Sequence, residues 1–215
     1  MKEKFIFCLI LFTGLPFLSF CQKSANFKKN EIAVLFGLNQ PLLAGGFNIE
    51  LNYFRPKLAF DYSHGVSLEF SGPAVVGKMK EQKLVAHLPF TTGFGVGYRL
   101  TKFLNFRAEP KWHRFEIYYD GESQTKANQI SAYTTFTLGF GLYGKWHPFK
   151  NRENMLQNIM IAPSIRWWPN VYSSLTDNQF SYSNKITNQT EIHKALNIGF
   201  LNTPFFFNIS IGYRF

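Results

Sequence analysis

From Leu58 to Phe70 the chain alternates strictly: Leu58, Phe60, Tyr62, His64, Val66, Leu68 and Phe70 occupy one parity, and Ala59, Asp61, Ser63, Gly65, Ser67 and Glu69 the other. A two-residue period of this length predicts a β-strand with one greasy face and one polar or small face. The pattern returns in 87–100, where Leu88, Phe90, Phe94, Val96, Tyr98 and Leu100 oppose His87, Gly93, Gly95, Gly97 and Arg99. It returns again in 129–147, where Ile130, Phe136, Leu138, Phe140, Leu142 and Trp146 oppose Ser131, Thr135, Thr137, Gly139, Gly141 and Lys145. Weaker versions at 31–38, 47–54, 104–119, 158–168 and 204–215 bring the expectation to about eight strands, several with the ~9 to 11 residues that a tilted strand needs to cross a bilayer.

The connections alternate as well. Those at 55–57, 101–103 and 148–154 are short, and those at 39–46, 71–86, 120–128 and 169–203 are longer. A meander that is tight at one end and long at the other predicts an all-β, closed, antiparallel up-and-down barrel. A ten-strand version follows if 169–203 adds a membrane-spanning hairpin. Soluble barrels share the meander but turn their apolar parity inward. Here the polar parity is rich in glycine and small hydroxyls with a few ionised residues, which suits a narrow lumen. The bulky, nearly uncharged parity suits lipid. Trp112, Trp146 and Trp167 on that parity, with Tyr53, Tyr98 and Tyr213 near strand ends, read as anchors at the membrane–water interface.

The alternation persists through "NISIGYRF", so residues 208–215 are expected to pair with the first strand and remove both sheet edges. With Tyr213 two residues before Phe215, this segment resembles the last strand of the small outer-membrane β-barrel proteins of Gram-negative bacteria. That resemblance implies an outer-membrane location, and implies that the barrel-assembly machinery reads Tyr213 and Phe215.

Composition agrees with an exported membrane barrel. Aromatic residues make up 18% of the chain, with 25 Phe, yet mean hydropathy is slightly negative, which no helical membrane protein shows. No apolar run after the N-terminus reaches the ~18 to 20 residues of a transmembrane helix. Residues 1–21 read as a cleaved signal peptide, with Lys2 and Lys4 ahead of an apolar stretch and Ser19-Phe20-Cys21 at its end. A rival reading lipidates Cys21, against which Phe20 is bulky for a lipobox. Residues 22–30 then form a periplasmic N-terminal segment and 31–215 the barrel domain. The other cysteine, Cys8, lies in the signal, so the mature chain has no thiol for disulfides, nucleophilic catalysis or a cysteine zinc site.

The net charge of +10 is concentrated before the first strand and in the tight turns, at Lys23, Lys28, Lys29, Arg55, Lys57, Lys102, Lys150 and Arg152. That placement points to outer-membrane lipid headgroups as partners. Nucleic acid would want a basic patch interleaved with stacking aromatics, and none is visible.

The candidate chemistry lies in the lumen. Arg107, Glu109 and Lys111 share the lumen-facing parity, and pairing Leu104 with Leu100 would set them beside Gly97, Gly95 and Gly93, with Gly141 and Gly139 on the other flank. The expectation is an ion-paired plug with Glu50, Asp61 and Arg99 as further partners, since eight strands leave room only for side chains. A charged gate in a pore is the alternative. Trp168 is expected at the lumen mouth, as a plug or as a platform for a ligand. The five histidines show no metal-ligand spacing, so no metal or cofactor is expected. Ser63, His64 and Ser67 come nearest to a lipid hydrolase of the lipid A deacylase kind, but both serines lie on the parity opposite His64. The reading is therefore a non-enzymatic, monomeric outer-membrane barrel with a structural or loop-mediated binding role. The alternatives are a narrow channel or carrier for small apolar molecules, and an outer-membrane lipid hydrolase.

Overall fold

The computed structural model describes residues 30–71 and 77–215. The expected signal segment with Cys21, and all of 22–30 except Asn30, lie outside them. The strands are β1 (Glu31–Gly37), β2 (Gly45–Phe54), β3 (Leu58–Phe70), β4 (Leu84–Arg99), β5 (Leu104–Tyr119), β6 (Ser131–Gly144), β7 (Ile159–Trp167), β8 (Asn170–Ser173), β9 (Gln179–Ser183), β10 (Thr190–Lys194) and β11 (Phe205–Arg214). A short helix, α1 (Asn39–Leu43), joins β1 to β2.

Strands β1 to β7 pair antiparallel in chain order, and β11 lies between β7 and β1 and closes an eight-stranded ring. The closing register sets Phe36 opposite Ile211 and Val34 opposite Tyr213, and the Phe215 N–H donates to the Ile32 carbonyl at 2.8 Å. The 169–203 segment adds no strand to the ring. β8 pairs with the upper part of β6 above β7, while β9 and β10 form a separate two-stranded sheet. At five residues each, the last two fall short of the ~9 to 11 that a crossing requires, so the ring stays at eight.

The parity runs greasy side out. Every ring strand exposes large apolar side chains, among them Val34, Ile49, Tyr62, Phe94, Phe106, Phe140, Ile165 and Phe207. A soluble monomer does not carry an apolar surface that circles the molecule. With the strands hydrogen-bonded round a closed ring that leaves no sheet edge, the barrel meets the two demands that a bilayer makes.

At the long-loop end the strict alternation fails. Leu68, Phe70 and Leu88, expected to face lipid, are buried at 3, 8 and 0% exposure. Two irregularities turn them inward. Ser67 adopts a left-handed backbone, φ 54°, and β4 carries a bulge between His87 and Thr91 against β5. A bulge inserts one residue and reverses the faces beyond it. Because β3 and β4 reverse together, their mutual register holds, with Val66 opposite Phe90 and Leu68 opposite Leu88. The facing residue of β2 has to be glycine: a Cβ at Gly46 would lie 2.0 Å from the Val66 carbonyl oxygen.

The interior therefore has two storeys. The lower one, toward the tight turns, is polar and charged, with a small apolar patch of Ala33, Leu35, Phe54, Ala59, Met160 and Ala162 at its foot. The upper one is an apolar core in which Leu68, Leu84, Leu88, Phe115, Ile117 and Tyr133 of the strands meet Met79, Phe180, Tyr182, Leu196 and Ile198 of the loops. The long loops thus fold down onto the barrel as a cap.

Candidate functional site

Strand β5 points every second side chain into the lumen, and from Asn105 to His113 all of these are polar and buried. Arg107 Nη1 lies 3.0 Å from Glu50 Oε1 on β2 and 3.0 Å from Asp61 Oδ2 on β3, while its Nε donates to Asn105 Oδ1 at 2.6 Å. Arg166 of β7 reaches the other Glu50 oxygen at 3.4 Å. Glu109 accepts from the Trp168 indole at 3.1 Å and from the Tyr143 hydroxyl, with Lys111 Nζ 3.6 Å from its second oxygen. Lys111 also donates to Ser63 Oγ at 2.6 Å. Three buried carboxylates thus meet three buried cations. The guanidinium groups of Arg107 and Arg166 also lie 4.2 and 4.6 Å from the centre of the Tyr143 ring, where the negative face of the aromatic attracts them.

The glycines beside this cluster make space for particular groups. A Cβ at Gly93 would lie 2.3 Å from Lys111 Cγ, one at Gly97 2.6 Å from Arg107 Cγ, and one at Gly95 2.1 Å from Asp61 Oδ2. Gly139 opens space for Trp168 rather than for a charge, since its Cβ would meet the indole at 1.6 Å.

Glu50, Asp61, Arg107, Glu109 and Lys111 thus stand together. Arg99 does not join them. It lies at the tight-turn end, donating to the Arg55 carbonyl at 2.9 Å and covering the Phe54 ring at 5.8 Å, near a separate Lys145–Glu31 pair at 2.6 Å. The register sets Arg99 opposite Asn105, one lumen step below Arg107 and nearer the tight turns. Trp168 sits deeper than the mouth, buried between Lys111 and Arg166 at 4.5 and 5.1 Å and stacked on Phe206 at 5.5 Å. Trp112, Trp146 and Trp167 are exposed on the outer wall. Tyr213 and Phe215 meet edge to face at 5.2 Å near the foot of β11.

Arg166, Tyr143 and His113 belong to the lumen and were not expected in the cluster. Arg166 shares its parity with Ser164 and Trp168, and Tyr143 breaks a glycine-rich parity; both are signals available in the sequence. His113 is held by Thr91 at 2.7 Å and Thr137 at 2.9 Å. Ser63, a candidate for hydrolase chemistry, is buried and engaged with Lys111. Among the described residues no three His, Cys, Asp or Glu side chains gather as a metal site.

Above the charged floor lies a partly enclosed cleft of about 40 Å³ between α1 and residues 198–206. Its walls include Leu43, Leu68, Phe70, Ile198, Phe200 and Phe206, and its floor Ser63, Lys111, Arg166 and Trp168. Farther out, the β9–β10 hairpin is tied by Glu191, which accepts from the Tyr182 hydroxyl at 2.8 Å, Asn184 Nδ2 at 2.8 Å and Thr187 Oγ1 at 3.2 Å. The Tyr182 hydroxyl bond, the largest cause, holds the Glu191 carboxyl below its ordinary pKa. Burial, followed by Glu191, raises that of Tyr182.

Neither a protein-family model nor a curated protein matches the chain. Solved structures similar to it include the attachment invasion locus protein Ail of Yersinia pestis, 11% identical over 87% of this chain and 99% of that one, with a TM-score of 0.43. A major outer membrane protein of Thermus thermophilus is 14% identical over 86% and 98%, with a TM-score of 0.39. Ail in a phospholipid bilayer nanodisc is 13% identical over 87% and 100%, with a TM-score of 0.36. Likenesses of this grade concern the fold alone. With its closed eight-stranded ring, apolar outside and ion-paired inside, the chain has the architecture of a small outer-membrane β-barrel protein.

Proposed function

We propose that this protein is a non-enzymatic outer-membrane barrel, closed to ions, that works through its extracellular cap. The observation that carries this reading is the filled lumen: Glu50, Asp61 and Glu109 are matched by Arg107, Lys111 and Arg166, all at 6% exposure or less. An eight-stranded ring holds only side chains, and here those side chains interlock across it. The cap, built from residues 168–204, buries apolar side chains against the upper storey and presents the β9–β10 hairpin outward. Outer-membrane lipids against the apolar belt, and the assembly machinery at Tyr213 and Phe215, are the partners that this reading entails, with the barrel as a monomer.

Reconstitution into planar bilayers tests it. Wild type is expected to show no steady conductance, and a stable single-channel current would overturn the closed-barrel reading in favour of a channel. Lipid A analysed by mass spectrometry with and without the protein is expected to be unchanged; a lost acyl chain would replace the reading with a hydrolase.

A further inference from the structure

We propose that the cleft between α1 and residues 198–206 binds a short amphipathic carboxylate, with its anionic end on Lys111 and Arg166 and its apolar body against Leu43, Leu68, Phe200 and Phe206. The inference rests on reading the capped end as the working end.

Charge decides the polarity of the ligand. Of the six charged residues in the lumen cluster only two line the cleft, the cations Lys111 and Arg166, while Arg107, Glu50, Asp61 and Glu109 lie outside its lining. The floor thus presents positive charge to the cleft although the cluster as a whole is balanced. A guanidinium carries five N–H donors, and Arg166 directs one to Ser164 at 2.9 Å and one to Glu50 at 3.4 Å, which leaves donors for a further acceptor.

Size decides the length. A water needs roughly 10 to 15 Å³ of such space, so about 40 Å³ takes about three to four water-sized groups, enough for a carboxylate and its first carbons with the end of a short chain in the open mouth, and too little for a full lipid acyl chain. Most of the surrounding wall is apolar, with Asn39, Asn48 and Thr91 among the polar exceptions, so a wholly hydrophilic anion would forgo much of the contact that the cleft offers.

Trp168 lines the cleft floor and can report on it. In the Trp112→Phe, Trp146→Phe, Trp167→Phe background it is the sole tryptophan. This protein, in nanodiscs of zwitterionic phospholipid, would be titrated with hexanoate, hexanol and hexylammonium. Hexanoate is expected to give a saturable change in Trp168 emission, with the other two at least tenfold weaker. Lys111→Met should weaken hexanoate at least tenfold. Leu43→Asp, on an exposed residue of α1 outside the lumen cluster, should weaken it severalfold and serves as the test if Lys111→Met does not fold. No saturable response, an equal response to all three probes, or hexanoate binding unchanged in Leu43→Asp would overturn the proposal. Conductance measured on the same preparation separates the two readings: a closed barrel that ignores hexanoate refutes only the ligand, whereas a conducting one refutes the closed barrel.

Discussion

The indole of Trp168 donates to Glu109 at 3.1 Å while standing in the space that a side chain at Gly139 would fill. An absent methyl on β6 thus makes room for the bond between β5 and the start of the cap. Gly139→Ala is expected to cost about 1 to 3 kcal/mol through overpacking, because the indole is also pinned by Phe206, Lys111 and Arg166. Unfolding in denaturant, read by the gel shift of the unheated barrel, measures it. In a Trp168→Leu background the same change should be nearly silent.

Glu109→Ala removes the acceptor of Trp168 and Tyr143 and the counter-charge of Lys111 together. Breaking a buried pair by deleting one partner costs about 3 to 5 kcal/mol, and this variant should unfold at correspondingly lower denaturant. Glu109→Gln keeps an acceptor and should fall between the two. Wild-type stability for both variants would show that the cluster does not hold the barrel.

The outer wall predicts an asymmetry of another kind. Leu138 is exposed on β6 opposite Pro110, and Arg placed there should cost about 2 to 4 kcal/mol if the position is at the bilayer midplane. A barrel indifferent to that charge would be standing in water.

Leu88 and Phe90 share a parity in the sequence and opposite faces in the fold, at 0 and 37% exposure. Leu88→Ala should cost about 2 to 5 kcal/mol as a core truncation. Phe90→Leu, on the outer wall, should shift stability by much less. Equal losses would mean that β4 runs without its bulge.

Glu191 makes the hairpin respond to pH. Its folded pKa is depressed, chiefly by the Tyr182 hydroxyl. Its contribution is therefore fully present above the ordinary carboxylate value and fades as pH falls through the lower, folded one. Amide exchange across β9 and β10, compared between wild type and Glu191→Gln at each pH, should differ most at neutral pH. The two should converge in acid, where wild type is protonated. A difference that grows in acid would reverse the assignment.

Much of the ring was legible because one physical fact, lipid outside and side chains inside, imposes period two on most of the strand length. The companions of Arg107, Glu109 and Lys111 were legible for the same reason, as were the glycines beside them. What escaped was set by single backbone choices. Ser67 in a left-handed conformation and the bulge near Pro89 look in the sequence like uninterrupted alternation, which puts Leu68 and Leu88 on the lipid face where the fold buries them. Arg166 escaped because its strand is short and lies beside two tryptophans. The placement of Arg99 depended on distance along the lumen, which parity does not encode.

Strands β7 and β11 are hydrogen-bonded neighbours, so the 37 residues between them, 168–204, leave the barrel and return to it at adjacent points. The ring closes through β11 whatever lies in that interval. The head of the molecule can therefore be lengthened, shortened or exchanged by insertion and deletion without re-registering a single strand below. Variation at the cell exterior is thus free of strand register in the membrane, and what a replacement head would have to supply is packing: one indole over the charged floor and apolar side chains, as Phe180, Leu196 and Ile198 now are, to fill the upper storey.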